Sequence, residues 1–217
     1  MQPAVTIQTL GDSWVKTSWD DYCQLLAQPA QENTRGYYYK GLMRLDMALV
    51  SPDHAEGDHL MALAVNLFSI TRHVPLKILS NCSYQRSGTL GCQADISVYF
   101  GAQVSEIPFG ANLIDLDQHS APALVIEIAQ SSLSDDLGIK RALYEALGVQ
   151  EYWVVDVATL SITAYQIVDL ESYQIQESQL LPGLNFRLLE MALRQSRTTD
   201  HQQVGAWLLS QFQQLGT

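Results

Sequence analysis

Leu60, Leu63, Ala64, Leu67 and Phe68 recur at helical spacing and predict a long helix from near Ser51 or Asp53 to about His73, where Pro75 prevents continuation. Residues 17–28 predict an earlier helix, with Thr17 or Ser18 as its cap, acids in its first turn and Pro29 closing it. Between the two, Tyr37 to Met47 reads as a β-hairpin turning at Lys40-Gly41. Strands are then predicted over 81–86, 95–100 and 123–129, with Gly88, Gly91 and Gly101 punctuating the first two. The connection from Gly101 to Pro122 is long for a compact domain, and such loops usually cover a site or carry function. A helix beginning near Ser134 or Asp135 ends at Gly148, a natural C′ glycine, and a strand over 151–157 follows at once. The rest reads as a hairpin partner over 161–167, a short strand near Tyr173, and two helices over about 186–195 and 201–212.

The order helix, strand, strand, strand, helix, strand over 53–157 predicts an α/β or α+β fold with a central mixed sheet flanked by helices. At 217 residues the chain is long enough to bury a full core as one domain, with the core over about 35–160 and a C-terminal extension over 160–217. No internal repeat or low-complexity tract interrupts it.

One residue breaks the apolar pattern where a break is costly. Ala123-Leu124-Val125-Ile126-Glu127-Ile128-Ala129 is apolar at every position but Glu127. Burying a carboxylate there costs several kcal/mol unless a cation or hydrogen-bond donors compensate it. Asp95 heads a similar strand, Asp95-Ile96-Ser97-Val98-Tyr99-Phe100. Alternation puts Val125, Glu127 and Ala129 on one face and Asp95, Ser97 and Tyr99 on one face. If those strands pair with both acids on the same side, the two carboxylates come within reach of a single divalent ion. Mg2+ suits such a pair, since it takes one or two carboxylates plus water and substrate phosphate. Lys140 and Tyr144, four residues apart on the next helix, project together, and a lysine beside the ion can orient or deprotonate a water. Asp46, between Leu45 and Met47, is a third charge among apolar neighbours. His54 and Glu56 are either cap and solvent residues or line the site from the side. Taken singly, each acid is as readily structural: Glu127 as a plain bridge to Lys140 or Arg141, Asp95 as a residue bonding nearby backbone N–H groups.

The formal net charge is −11, which weighs against constitutive nucleic-acid binding through a basic surface. The distribution matters more. No Lys or Arg occurs between Ser87 and Ile139, which hold seven acids, whereas six basic residues face four acids between Arg35 and Arg86. A polyanion is expected to approach over the first half, with a metal offsetting the acids of the second. The three cysteines, Cys23, Cys82 and Cys92, lack CxxC spacing and are read as reduced thiols of a cytoplasmic protein. The start of the chain lacks the basic and apolar pattern of a secretory signal, and no apolar run is long enough to span a bilayer. His54 and His59, five apart, do not share a helical face for zinc.

The run from Pro122 to Asp156, with Glu127, Lys140, Tyr144, Gly148 and Trp153 in order, resembles the Uma-type putative endonuclease family, a former domain of unknown function with the PD-(D/E)XK restriction-endonuclease-like fold. The hairpin Tyr37–Met47 and the following Pro52-Asp53-His54-Ala55 resemble the same family, and the likeness covers about residues 35–210. It implies that Asp95 is the aspartate of the "PD" element, Glu127 the acid of "(D/E)XK", and Lys140 its lysine, moved from strand to helix. It implies Asp46 as a further acid near the metal, with Tyr144 and His54 supporting. Ala94 stands where the family usually has proline, Ala129 occupies the place of the strand lysine, and Asp46 replaces a more usual glutamate. The expected activity is Mg2+- or Mn2+-dependent hydrolysis of DNA phosphodiesters. A homodimer is expected for double-strand cutting, with Val204, Trp207, Leu208 and Phe212 of the last helix as a candidate surface or as part of the chain's own core. The rival readings are a non-catalytic module in which Glu127 and Lys140 form a structural bridge, and a hydrolase of other phosphate esters.

Overall fold

A computed structural model describes residues 13–31, 34–47 and 50–215. In chain order the elements are β1 (Val15–Lys16), α1 (Trp19–Leu26), β2 (Thr34–Tyr39), β3 (Leu42–Met47), α2 (Pro52–Arg72), β4 (Leu76–Arg86), β5 (Leu90–Phe100), β6 (Ile114–Asp115) and β7 (Leu124–Ala129). There follow α3 (Leu133–Leu137), α4 (Ile139–Leu147), β8 (Glu151–Asp156), β9 (Ser161–Val168), β10 (Glu171–Ile175), α5 (Phe186–Ser196) and α6 (His201–Gln214). They fall into two compact units. One holds the described residues of Met1–Leu49 with Ser83–Gln93 and Gly110–His119; the other holds Val50–Cys82, Ala94–Phe109 and the described residues of Ser120–Thr217.

In the first unit Ser18 caps α1 by accepting the Asp21 N–H at 3.1 Å. The hairpin β2–β3 turns at Lys40 and Gly41, both with positive φ (50° and 75°), the twist that a two-residue hairpin needs. Tyr22 is buried against Gly36 and Gly91, where a β-carbon would come within 2.7 Å of Leu26 and 2.6 Å of the Tyr22 hydroxyl respectively. At Gly91 that bareness makes room for Tyr22 where β2 pairs with the start of β5 (Tyr38 with Gly91, Tyr39 with Leu90).

The second unit is a mixed sheet between helices. β5 pairs antiparallel with β7, β7 parallel with β8, and β8, β9 and β10 continue antiparallel. The parallel step needs a crossover, which α3 and α4 supply. Ile96, Val98, Leu124, Ile126, Ile128, Trp153 and Val155 form one face of the sheet and pack with α2, α5 and α6. The opposite face carries Glu127 and Tyr152 and meets α4, where the rings of Tyr144 and Tyr152 lie 4.9 Å apart. Ser51 caps α2, Pro52 opens it, and His73 ends it in the left-handed conformation.

Three expectations are corrected. β4 and β5 start at Leu76 and Leu90, earlier than predicted. β4 is half-exposed along much of its length and carries Asn81 at φ 53°, so its pattern is not that of a buried strand. The helix predicted from about Ser134 to Gly148 is two helices broken at Gly138, whose φ −108°, ψ −104° is not helical. The stripe of α6 offered as a dimer surface is interior. Val204, Leu208 and Phe212 are fully buried, Phe212 packs edge-on against Phe68 at 5.2 Å, and Trp207 is partly buried against the same core. Among the described residues no cysteine forms a disulfide, and no helix is long and apolar enough to cross a membrane.

Candidate active site

The register of β5 and β7 pairs Ile96 with Ile126, Ser97 with Val125 and Val98 with Leu124. One residue beyond the Ile96–Ile126 pair lie Asp95 on β5 and Glu127 on β7, close enough for the Asp95 charge to act on the Glu127 carboxyl. Asp95 is almost fully buried and its Oδ2 accepts from the Ile128 backbone N–H at 2.9 Å. His54 Nε2 lies 3.1 Å from the same oxygen. His54 gets there because α2 approaches β7 closely: a β-carbon at Gly57, one turn on, would come within 3.1 Å of Ile128 and 2.9 Å of Val157. The first turn of α2 is also tied to the end of β7, since the Ser51 hydroxyl that caps His54 N–H donates to Gln130 Oε1.

Glu127 sits in a strand buried at every position. Its Oε1 accepts from the Tyr144 hydroxyl at 2.5 Å, and its Oε2 lies 3.3 Å from Lys140 Nζ. The ammonium is also 2.9 Å from Asp136 Oδ1. Asp136 in turn accepts from the Ser132 hydroxyl at 2.6 Å. Lys140 follows Gly138, where a β-carbon would meet the Ser134 carbonyl oxygen at 2.8 Å, so the break that sets Lys140 relative to Asp136 depends on glycine. Burial pushes the Glu127 carboxyl up to about 8; Lys140 pulls the other way, while Asp95 and Asp136 add to the rise.

A second buried acid gives the contrast. Glu151 accepts from Trp153 Nε1, the Ser178 hydroxyl and the backbone N–H groups of Gln179 and Leu180. Four donors satisfy it with no cation, as befits a clasp on the 178–181 turn. Glu127 has one hydroxyl and a share of one ammonium, and it faces further carboxylates.

The fold thus gathers Asp95, Glu127, Lys140, Tyr144 and His54. Glu56 turns elsewhere, pairing with Arg197 at 3.6 Å and His201 at 3.5 Å. Asp46 belongs to the first unit, where Arg44 Nε holds its Oδ1 at 2.5 Å. Asp136 was missed by sequence reasoning. Its spacing to Lys140, i to i+4, was the available signal. Among the described residues no group of three or more His, Cys, Asp or Glu side chains forms a set able to hold a metal ion. The Asp95–Glu127 pair nonetheless suits a hard cation by its chemistry: both carboxylates are almost fully buried, and Glu127 has to share the single Lys140 ammonium with Asp136.

The family model described as "Uma2: Putative restriction endonuclease" matches residues 19–202, most of the chain, and the chain belongs to that family. No match is found among curated proteins. A similar solved structure is that of "a putative nuclease belonging to DUF820" from Anabaena variabilis, with TM-score 0.59 and 16% identity, covering 81% of this chain and 98% of that one. At that identity the likeness is one of fold: a mixed sheet flanked by helices.

Proposed function

We propose that this member of the Uma2 family is a nuclease that hydrolyses DNA phosphodiesters with Mg2+ or Mn2+ held by Asp95 and Glu127. The observation that carries the reading is that two buried acids, Asp95 and Glu127, flank the end of the β5–β7 ladder with one lysine beside Glu127. The bound ion would supply positive charge to the scissile phosphate. Asp95 is oriented by the Ile128 N–H and by His54, so its carboxylate keeps one direction. Tyr144 does the same for Glu127. Lys140 offers N–H donors to the attacking water or to a phosphoryl oxygen as negative charge builds there. Water attacks phosphorus, the P–O ester bond breaks, and the leaving oxygen takes up a proton. Asp46, engaged by Arg44, is left out of the proposed ligand pair. Cutting both strands takes two such sites, which a homodimer provides.

The test is cleavage of plasmid and linear DNA by the full-length chain, with Mg2+ and with excess EDTA. The wild type is expected to cut only with the ion, and Glu127→Ala and Lys140→Ala to lose cutting. Mg2+-dependent cleavage retained by either variant would refute the assigned roles.

One observation favours a second reading. Glu127, Lys140 and Asp136 are each less than 4% exposed, as in a structural ion-pair cluster of a binding or assembly module. Absence of Mn2+ binding by the wild-type chain would select that reading.

A further inference from the structure

Asp136 is fully buried, and its backbone is fixed as firmly as its side chain: its N–H donates to the Ser132 carbonyl at 2.9 Å and its carbonyl accepts from the Tyr152 hydroxyl at 3.0 Å. Of the four lysines in the chain, Lys140 is the buried one. Its ammonium lies 2.9 Å from Asp136 and 3.3 Å from Glu127. The ammonium donates a hydrogen bond to Glu127 Oε2, whereas its shorter contact with Asp136 Oδ1 is ionic, so the two carboxylates share it.

A divalent ion on Asp95 and Glu127 would compete with the Lys140 ammonium for the same Glu127 carboxylate, and the two cations would repel each other. A lysine whose sole anionic partner was Glu127 would have to be displaced before an ion could bind. We infer that Asp136 is a positioning residue that draws the Lys140 ammonium off Glu127, leaving Glu127 to a divalent cation while keeping the ammonium next to the reacting phosphate. The inference rests on the ion-binding role proposed above for Asp95 and Glu127. Asp136 precedes the break at Gly138 and Lys140 follows it, so the glycine fixes the distance over which this pull acts.

Calorimetric titration with Mn2+ of the full-length wild type, Asp136→Asn, Lys140→Met and the double variant tests it, with circular dichroism melts to establish folding. In Asp136→Asn the dissociation constant is expected to rise about tenfold, because the ammonium collapses onto Glu127. In the Lys140→Met background the same change is expected to cost at most about threefold, the residue of lost long-range attraction. An unchanged constant in Asp136→Asn overturns the inference, and so does an equal loss in both backgrounds, which would mark a simple charge effect. A wild type that binds no Mn2+ overturns the ion-binding reading itself and the inference with it. A measurement on the wild type alone covers failure of a variant to fold. The 15Nζ signal of Lys140, slowly exchanging because buried, is expected to persist and shift on Mg2+ addition; its loss to solvent exchange overturns the inference.

Discussion

The sharpest consequence of the site is that Glu127 makes the ion-free protein less stable as pH rises. Its carboxyl is pushed up to about 8 from an ordinary 4.5, chiefly by burial and further by Asp95 and Asp136, against the pull of Lys140. Between those two values the folded chain keeps a proton that the unfolded chain has lost. Unfolding therefore releases a proton, and stability falls with pH across that window. At about 1.4 kcal/mol per pH unit, the interval from 4.5 to about 8 sets a ceiling on the order of 5 kcal/mol. Glu127→Gln copies the protonated form, keeps an acceptor for the Tyr144 hydroxyl, and leaves Lys140 paired with Asp136. Urea denaturation of both proteins without metal, at pH 5, 6.5 and 8.5, isolates the Glu127 contribution as their difference. The variant is expected to match the wild type at pH 5 and to exceed it by at least about 2 kcal/mol at pH 8.5. Added Mg2+ is expected to raise the wild type at pH 8.5 and leave the variant unchanged. A pH-independent difference, or a variant less stable at pH 8.5, would refute the argument that an unmatched buried carboxylate sits at this position.

Other substitutions probe the supports of the site. Tyr144→Phe removes a 2.5 Å donor from Glu127 and is expected to cost about 1–3 kcal/mol of stability by urea denaturation, together with a further rise in the Glu127 pKa. Gly138→Ala drives a β-carbon against the Ser134 carbonyl. Thermal melts should show a loss of about 1–3 kcal/mol, and DNA cleavage should fall with it. Phe212→Ala is expected to destabilise the chain by about 3–5 kcal/mol without changing its oligomeric state on a sizing column, because α6 packs on its own core. A shift from dimer to monomer would contradict that placement.

The site was half legible in the sequence, and the missing half has physical causes. Glu127 announced itself because a lone acid in an apolar strand has few explanations, and Lys140 with Tyr144 followed from helical spacing. Asp136 did not, because two adjacent acids near a helix start look like solvated charges favouring the helix dipole. Burial separates it from Asp135, and burial depends on how α3 and α4 fold over β7 and β8. The break at Gly138 was invisible for a related reason: one glycine in an amphipathic run is usually tolerated, and only backbone geometry shows a break. The Lys40-Gly41 turn was readable because Gly41 supplies a positive φ that a two-residue hairpin turn needs. The apolar stripe of α6 was equally plain, but a stripe states that a face is buried, not what buries it.

The most direct test of the central claim is a crystal of the wild-type chain soaked in Mn2+ and measured at the manganese absorption edge. An anomalous peak is expected within coordinating distance of one carboxylate oxygen each from Asp95 and Glu127, with Lys140 Nζ still against Asp136. No peak there, or a peak held by other residues, would contradict it.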